Sequence, residues 1–178
     1  MKKIISICFL ALALAMPNLS TACVGKTVYL GITPNERLLA EIASLLISER
    51  TGSTVQIDVY NNATELYNAV KHGKVNFIFE STSAAPEAIG KPKNLTFDQI
   101  KNEYRTKLNL TWLEPGSTKY APVLTSETLS TYPALPKLLN KLSKALENDT
   151  YLKMVKSVES GEKPKKLAKD FLKGKKLI

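Results

Sequence analysis

The sequence has one histidine and two cysteines among its 178 residues, too few for most metal and thiol chemistry. Zinc sites need three or four ligands and usually draw several of them from histidine and cysteine. The sequence also lacks a glycine-rich phosphate loop and a Gly-x-Ser-x-Gly nucleophile motif. No spacing of carboxylates singles out an acid–base pair. We therefore predict no metal, no cofactor and no enzymatic activity.

The first residues have the pattern of a secretory signal peptide. Two lysines follow the initiating methionine, and residues 4–16 carry no charge. The small residues Ser20 and Ala22 then stand where a signal peptidase reads the chain. The apolar run is shorter than the roughly 20 residues that a membrane-spanning helix needs, which argues against a retained anchor. We predict export to the periplasm or cell envelope, with residues 1–22 as the signal peptide.

Cys23 directly follows the predicted cleavage position. A cysteine after a small residue at this point is typical of lipoproteins, in which the thiol receives a lipid. Ser20 occupies the position where such signals usually carry leucine, so two outcomes stay open. Either Cys23 is lipidated and tethers the protein to a membrane, or the chain is simply cleaved after Ala22. Because Cys8 lies in the signal, the mature chain has one thiol and no internal disulfide.

Positive charge is concentrated at the C-terminus. Residues 23–136 contain 11 basic and 11 acidic residues, whereas residues 137–178 contain 12 lysines and 5 acids, a net charge of +7. Such a segment can contact anionic lipid or an acidic partner. It can also be the solvated face of helices in an exported protein, and we favour this second interpretation. Nucleic acid is not an expected partner outside the cytoplasm.

The mature chain alternates between strand and helix patterns, which predicts an α/β domain with a doubly wound, mostly parallel sheet. The 156 residues from Cys23 to Ile178 (178 − 22) are expected to form a single domain with a C-terminal helical segment. Residues 81–95, which contain two prolines and a glycine, are predicted to be a loop. The predicted strands are 27–32, 54–60, 75–79, 110–113 and 120–124. The first predicted helix opens at Pro34, runs through Glu49 and is stopped by Gly52, and the second has Asn62 or Thr64 as its cap and ends at Gly73. Further helices are predicted over 97–108 and in three pieces after Tyr132.

Ligands of open parallel sheets bind beyond the carboxyl ends of the strands. That rule selects Glu80, which ends a strongly apolar strand where a carboxylate is costly to bury without a partner. We expect it to meet a cationic ligand or a basic residue of this chain. The alternative for the hydroxyl and amide residues is that they only cap helices or turns. The predicted ligand-binding residues are Thr33, Asn35, Glu36, Asn61, Glu80, Ser81, Thr82 and Tyr120.

Several short stretches occur in an order that resembles the glycine betaine and choline type of ABC-transporter substrate-binding protein. They are Thr33-Pro34-Asn35-Glu36, Leu39-Ala40-Glu41-Ile42, Leu66 to Gly73, Leu110-Thr111-Trp112-Leu113 and Tyr132-Pro133-Ala134-Leu135. The resemblance implies one lobe of a type II periplasmic-binding-protein fold. It also implies a small-molecule solute as ligand, and a transporter permease or another envelope protein as partner.

Two features depart from that family's pattern. Only 31 residues separate Glu80 from Trp112, too few for a second lobe, so residues 81–95 are predicted to replace it. The family holds a quaternary ammonium in an aromatic cage, but no aromatic residue follows Glu80 directly or lies between Ile32 and Arg37. We expect a single lobe that binds a small polar or cationic solute. The alternative is a remnant that serves as a protein-interaction module.

Overall fold

The computed structural model describes residues 25–178, so the predicted signal peptide and Cys23 lie outside the described residues. The elements alternate as the sequence predicts. Strands and helices follow one another as β1 (Thr27–Ile32), a 3-10 turn (Pro34–Glu36), α1 (Arg37–Thr51), β2 (Thr54–Val59), α2 (Ala63–Lys71), β3 (Phe77–Ser81), α3 (Ala85–Ala88), α4 (Phe97–Leu108), β4 (Leu110–Trp112), β5 (Tyr120–Thr125), α5 (Ser126–Thr131), α6 (Leu135–Ala145), α7 (Asn148–Glu159) and α8 (Pro164–Gly174).

The five strands form one sheet in the order β2-β1-β3-β5-β4. β1 pairs in parallel with β2 and β3, whereas β5 runs antiparallel to both of its neighbours. Four strands therefore point the same way, and β5 alone is reversed. The predicted α/β class with a mostly parallel sheet is confirmed. The carboxyl ends of β1, β2, β3 and β4 consequently meet at one edge.

Helices cover both faces of the sheet, because alternate residues of each strand point to opposite sides. On one face, Leu30 and Phe77 pack in a cluster with α1, α6, α7 and α8. On the other, Ile78 and Val123 pack with α2 and α4. Side chains at even positions of β3 therefore face α2 and α4, and this parity decides where Glu80 points.

Three local features differ from the sequence prediction. The third strand begins at Phe77 rather than at Val75 and extends through Ser81. The predicted loop 81–95 contains the four-residue helix α3, whose buried Pro86 lies in the first turn, where proline is tolerated. Helix α5 was not predicted, since its only strong signal is Thr125, whose hydroxyl accepts a hydrogen bond from the Thr128 N–H.

The C-terminal helices turn their lysines to solvent. All 12 lysines from Lys137 onward are exposed, while Leu139, Ala168 and Leu172 are buried against the rest of the domain. The interpretation of this segment as a solvated basic face agrees with that arrangement. Within residues 25–178, no helix combines the length and apolar character needed to traverse a bilayer. The same residues contain no cluster of three or more potential metal ligands.

Candidate functional site

A cavity of about 580 Å³ opens at the carboxyl edge of the sheet beside β3. The N-terminal half of α2 forms one wall, the end of β3 forms the floor, and the region around α3 forms the other wall. The lining residues are Ala63, Thr64, Tyr67, Asn68, Glu80, Ala84, Glu87 and Ala88. Neither Thr64 nor Asn68 makes a side-chain hydrogen bond to another described residue, so both remain available to a ligand.

Glu80 is the partly buried acid of this cavity. Its Oε2 accepts a hydrogen bond from the Tyr67 hydroxyl, and its Oε1 accepts one from the Ser81 N–H at 2.9 Å. No lysine or arginine among residues 25–178 forms an ion pair with it. The sequence left open a basic partner within the chain, and the described residues supply none. Glu80 is held by neutral hydrogen-bond donors alone.

Two tyrosines extend from Glu80 into the core. The hydroxyl oxygens of Tyr67 and Tyr104 are 2.6 Å apart, and Tyr104 also donates to the Ala85 carbonyl at 3.3 Å. The rings of Tyr67 and Tyr104 meet edge to face at 6.1 Å, and Tyr104 is fully buried. The core thus fixes the position of the carboxyl group through this chain of hydroxyls.

Burial dominates the electrostatics of the site. Desolvation raises the pKa of Glu80 above its ordinary value, although the hydrogen bonds from Tyr67 and from the Ser81 N–H act in the opposite direction. The carboxylate of Glu36 raises the pKa further. Burial, followed by the charge of Glu80, also raises the pKa of Tyr67 far above its usual range, so this hydroxyl stays protonated. None of the residues that line the cavity is a lysine, arginine or histidine.

The raised pKa of Glu80 predicts how stability changes with pH. The folded state holds the Glu80 proton more tightly than the unfolded state, so this group's contribution to stability is complete below about pH 4.3. The contribution is lost as pH rises through the folded-state pKa. Glu80→Gln removes the titration while retaining a hydrogen-bond acceptor. We expect the variant to be more stable than the wild type at pH 8 by about 0.5–2 kcal/mol, a common size for stabilising changes.

Urea unfolding at several pH values between 4 and 8 measures this difference. The advantage of Glu80→Gln should grow steadily as pH rises, because only the wild type must bury a charge. Glu159→Gln is the matched control, since Glu159 is exposed and forms no ion pair with another described residue. A difference between Glu80→Gln and wild type that does not change with pH would contradict the assignment of a buried, titrating carboxyl.

The predicted ligand residues divide between two kinds of position. The N–H and hydroxyl of Thr33 both bond to Glu36 Oε2, at 2.8 and 2.5 Å, as a capping box of the 3-10 turn, and Asn35 is exposed on that turn. Asn61 donates its side-chain amide to Glu65 Oε2 at 2.9 Å beside the start of α2. Thr33 and Asn61 therefore serve the local capping role that the sequence left as an alternative.

Glu80 is the one predicted residue among those that line the cavity. The Ser81 hydroxyl lies 2.9 Å from that of Ser83, and the Thr82 N–H donates to the Lys119 carbonyl at 3.1 Å. Tyr120 packs on the opposite face of the sheet, where its ring meets Tyr151 at 6.3 Å. The structure thus does not bring the eight predicted residues into one pocket.

Sequence reasoning missed most of the residues around Glu80. The rings of Tyr67 and Tyr104 lie on the apolar faces of α2 and α4, where an aromatic residue needs no functional explanation. The Tyr67 hydroxyl reaches Glu80 across 13 residues of chain, and the Tyr104 hydroxyl reaches that of Tyr67 across 37. A tyrosine where leucine would complete an apolar stripe is a weak signal of a buried acceptor nearby, because a buried hydroxyl needs a partner.

Residues 114–174 match the family model of the substrate-binding domain of ABC-type glycine betaine transport systems. The crystal structure of a glycine betaine/carnitine/choline ABC transporter protein is similar with a TM-score of 0.74, at 13% sequence identity, over 86% of this chain and 99% of that chain. The resemblance to the glycine betaine type of substrate-binding protein is confirmed. The comparison with curated proteins gives no match.

The family match and the structural match cover different parts of the chain. The glycine betaine family match falls on β5 and the C-terminal helices, which contain the Tyr132 stretch quoted above. The structural match extends over most of the domain and, at its low sequence identity, establishes the fold. The partial coverage of the glycine betaine model is consistent with a single lobe. The family is described as a substrate-binding domain rather than an enzyme.

Proposed function

We propose that this chain is an exported solute-binding protein, related to the glycine betaine type, that takes a small polar or cationic solute into the cavity beside Glu80. The observation that carries the proposal is a partly buried carboxyl group on the cavity floor without a basic partner among residues 25–178. Buried charges in proteins are normally paired or bound to an ion. A cationic solute would supply the missing partner.

The volume of the cavity and the negative charge of its lining support this proposal. Its volume of about 580 Å³ lies within the range typical of small-molecule sites, roughly 300–1,000 Å³. Glu87 adds a second carboxylate at the rim, where it forms a 3.6 Å ion pair with the exposed Lys93. Because the lining contains two carboxylates and no basic residue, the cavity attracts cations.

A single lobe leaves the solute partly open to water. Small-molecule sites usually bury most of the ligand surface, so we expect weak binding by the isolated domain. A transporter permease, another envelope protein or a second copy of the chain would supply the opposing wall. The predicted location in the periplasm or cell envelope, with or without a lipid on Cys23, would place the domain beside such partners.

A thermal-shift panel tests the proposal on the purified protein. The panel contains betaine, choline, carnitine, proline, simple amines and simple anions at 10 mM. A ligand present at ten times its dissociation constant adds about 1.4 kcal/mol, which corresponds to a rise in Tm of about 3–5 °C for a domain of this size. We expect such a rise for at least one cation. It should disappear in Glu80→Ala and persist in Glu159→Ala, which removes an exposed carboxylate elsewhere.

The alternative is a protein-interaction module, and the exposed lysines of α6, α7 and α8 are the observation in its favour. An apolar docking surface is not evident in residues 25–178. The large exposed apolar side chains there are Tyr29, Val59 and Leu152, which lie on three different elements. If no panel compound shifts Tm at 10 mM, the solute-binding proposal fails and a basic docking surface becomes the better explanation.

A further inference from the structure

The acceptor positions of Glu80 are only partly used. A carboxylate can accept about four hydrogen bonds, and Glu80 accepts one from Tyr67 and one from the Ser81 N–H. Glu80 lines the cavity, so its remaining acceptor capacity is open to a ligand or to water. A ligand that displaces this water without donating hydrogen bonds leaves that capacity unsatisfied. That loss typically costs more for a charged group than for a neutral one.

The other polar side chains of the lining also present hydrogen-bond acceptors, which favour a ligand that donates hydrogen bonds. Glu87 presents a carboxylate, Asn68 an amide oxygen and Thr64 a hydroxyl, and the other small positions are alanines. Tyr67 is the single aromatic residue of the lining, and its hydroxyl is already bonded to Glu80. Cation–π recognition of a quaternary ammonium uses the faces of several rings arranged as a cage. This cavity offers hydrogen-bond acceptors instead of a cage.

We infer that the cavity selects a hydrogen-bond-donating cation, a primary ammonium or a guanidinium group, over a quaternary ammonium. The inference rests on the proposed function, because it concerns the same cavity. An ammonium group carries three N–H donors, enough to satisfy the open positions of Glu80 and a further acceptor on the wall. Charge-assisted hydrogen bonds of this kind are shorter and stronger than neutral ones.

A trimethylated head group meets the same cavity differently. It has no N–H donor and is larger, so it holds its positive charge away from the carboxylate oxygens. It would also cover Glu80 and exclude the water that otherwise satisfies that group. The two head groups carry the same charge, so general attraction by Glu80 and Glu87 does not distinguish them. Hydrogen bonding to Glu80 is what separates them.

The test compares two cations that differ only in the head group, n-butylammonium and butyltrimethylammonium, both as chlorides at constant total chloride. Isothermal titration of the purified protein gives the dissociation constant of each. We expect n-butylammonium to bind at least tenfold more tightly. We also expect Glu80→Gln to weaken n-butylammonium binding at least tenfold, because the neutral amide removes the charge and directs N–H groups at the ligand. Glu159→Gln should leave binding unchanged.

The outcomes separate the inference from the proposed function. Equal or tighter binding of butyltrimethylammonium would overturn the inference and leave the solute-binding proposal standing. Quaternary binding that does not respond to Glu80→Gln would overturn both the ligand class and the cavity, and would direct attention to the Tyr120–Tyr151 ring pair. If neither cation binds and no compound of the wider panel shifts Tm, the proposed function itself fails. Urea unfolding of Glu80→Gln establishes that the variant is folded.

Discussion

Replacing Gly116 with alanine is expected to lower the free energy of unfolding by about 3 kcal/mol, at the upper end of the usual cost of overpacking. A Cβ atom at this position would lie 1.9 Å from the Ser143 carbonyl oxygen and 2.6 Å from its carbonyl carbon. Both atoms belong to the backbone of α6, so neither moves as a side chain would. The segment between β4 and β5 must therefore separate from α6 to make room.

Neighbouring contacts raise the cost of that separation. The Ser117 hydroxyl donates to the Leu146 carbonyl at 3.2 Å and accepts from the Asn148 N–H at the same distance, so it joins α6 to α7. Urea unfolding should show a lower midpoint with an unchanged slope. Gly174→Ala is the control, because a Cβ there meets nothing within 4 Å at the end of α8. Equal stability of Gly116→Ala and wild type would mean that the segment does not lie against Ser143.

Tyr104→Ala is expected to cost about 3–5 kcal/mol, the usual range for removing a large aromatic ring from a core. The Tyr104 ring is fully buried and meets Trp112 edge to face at 5.1 Å. The ring also packs against that of Tyr67, so its loss should weaken the hydrogen bond from the Tyr67 hydroxyl to Glu80. We expect the variant to lose the Tm response to cations as well as stability. Urea unfolding and the thermal-shift panel measure the two effects.

Tyr104→Phe separates the hydroxyl from the ring. It removes the hydroxyl that donates to the Ala85 carbonyl and lies 2.6 Å from the Tyr67 hydroxyl, which should cost about 1–3 kcal/mol while the ring packing is kept. Tyr29→Phe removes a hydroxyl from a partly exposed tyrosine and should change stability by less than about 0.5 kcal/mol. A Tyr104→Phe variant as stable as Tyr29→Phe would argue against the buried chain of hydroxyls.

The fold was predictable because local signals and apolar patterns agreed. The β-branched run at Thr27, the stop at Gly52 and the apolar stripe from Leu135 each mark an element that the structure contains. Gly52 adopts a positive φ of 68°, the left-handed conformation that glycine favours at a helix end. The elements that the sequence did not predict, α3 and α5, are short helices. Helix α3 has four residues, and its Pro86 and Gly90 gave the signals of a loop.

The site was less predictable, because it depends on packing between distant segments. Glu80 could be selected from its place at the end of an apolar strand. Its partners could not, since the apolar stripes of α2 and α4 hide which side chain carries a hydroxyl to the sheet. Thr33 and Asn61 also lie at this edge of the sheet, but their polar groups form hydrogen bonds with the nearby Glu36 and Glu65 instead of facing the cavity. The position of a residue at the sheet edge can be predicted from the sequence, but its hydrogen-bond partners, which determine whether it can bind a ligand, cannot.

Helix α1, which follows β1 and the 3-10 turn, is covered by α8. The Arg50 Nε donates to the Leu177 carbonyl at 2.5 Å, across 127 residues of chain. In addition, β5 must enter between β3 and β4 before the sheet is complete. Contacts so distant in sequence form slowly. A chain that emerges from its N-terminus therefore exposes the side of α1 that packs on α8 until residues 164–174 are free, and no fragment that ends before α8 contains a finished core.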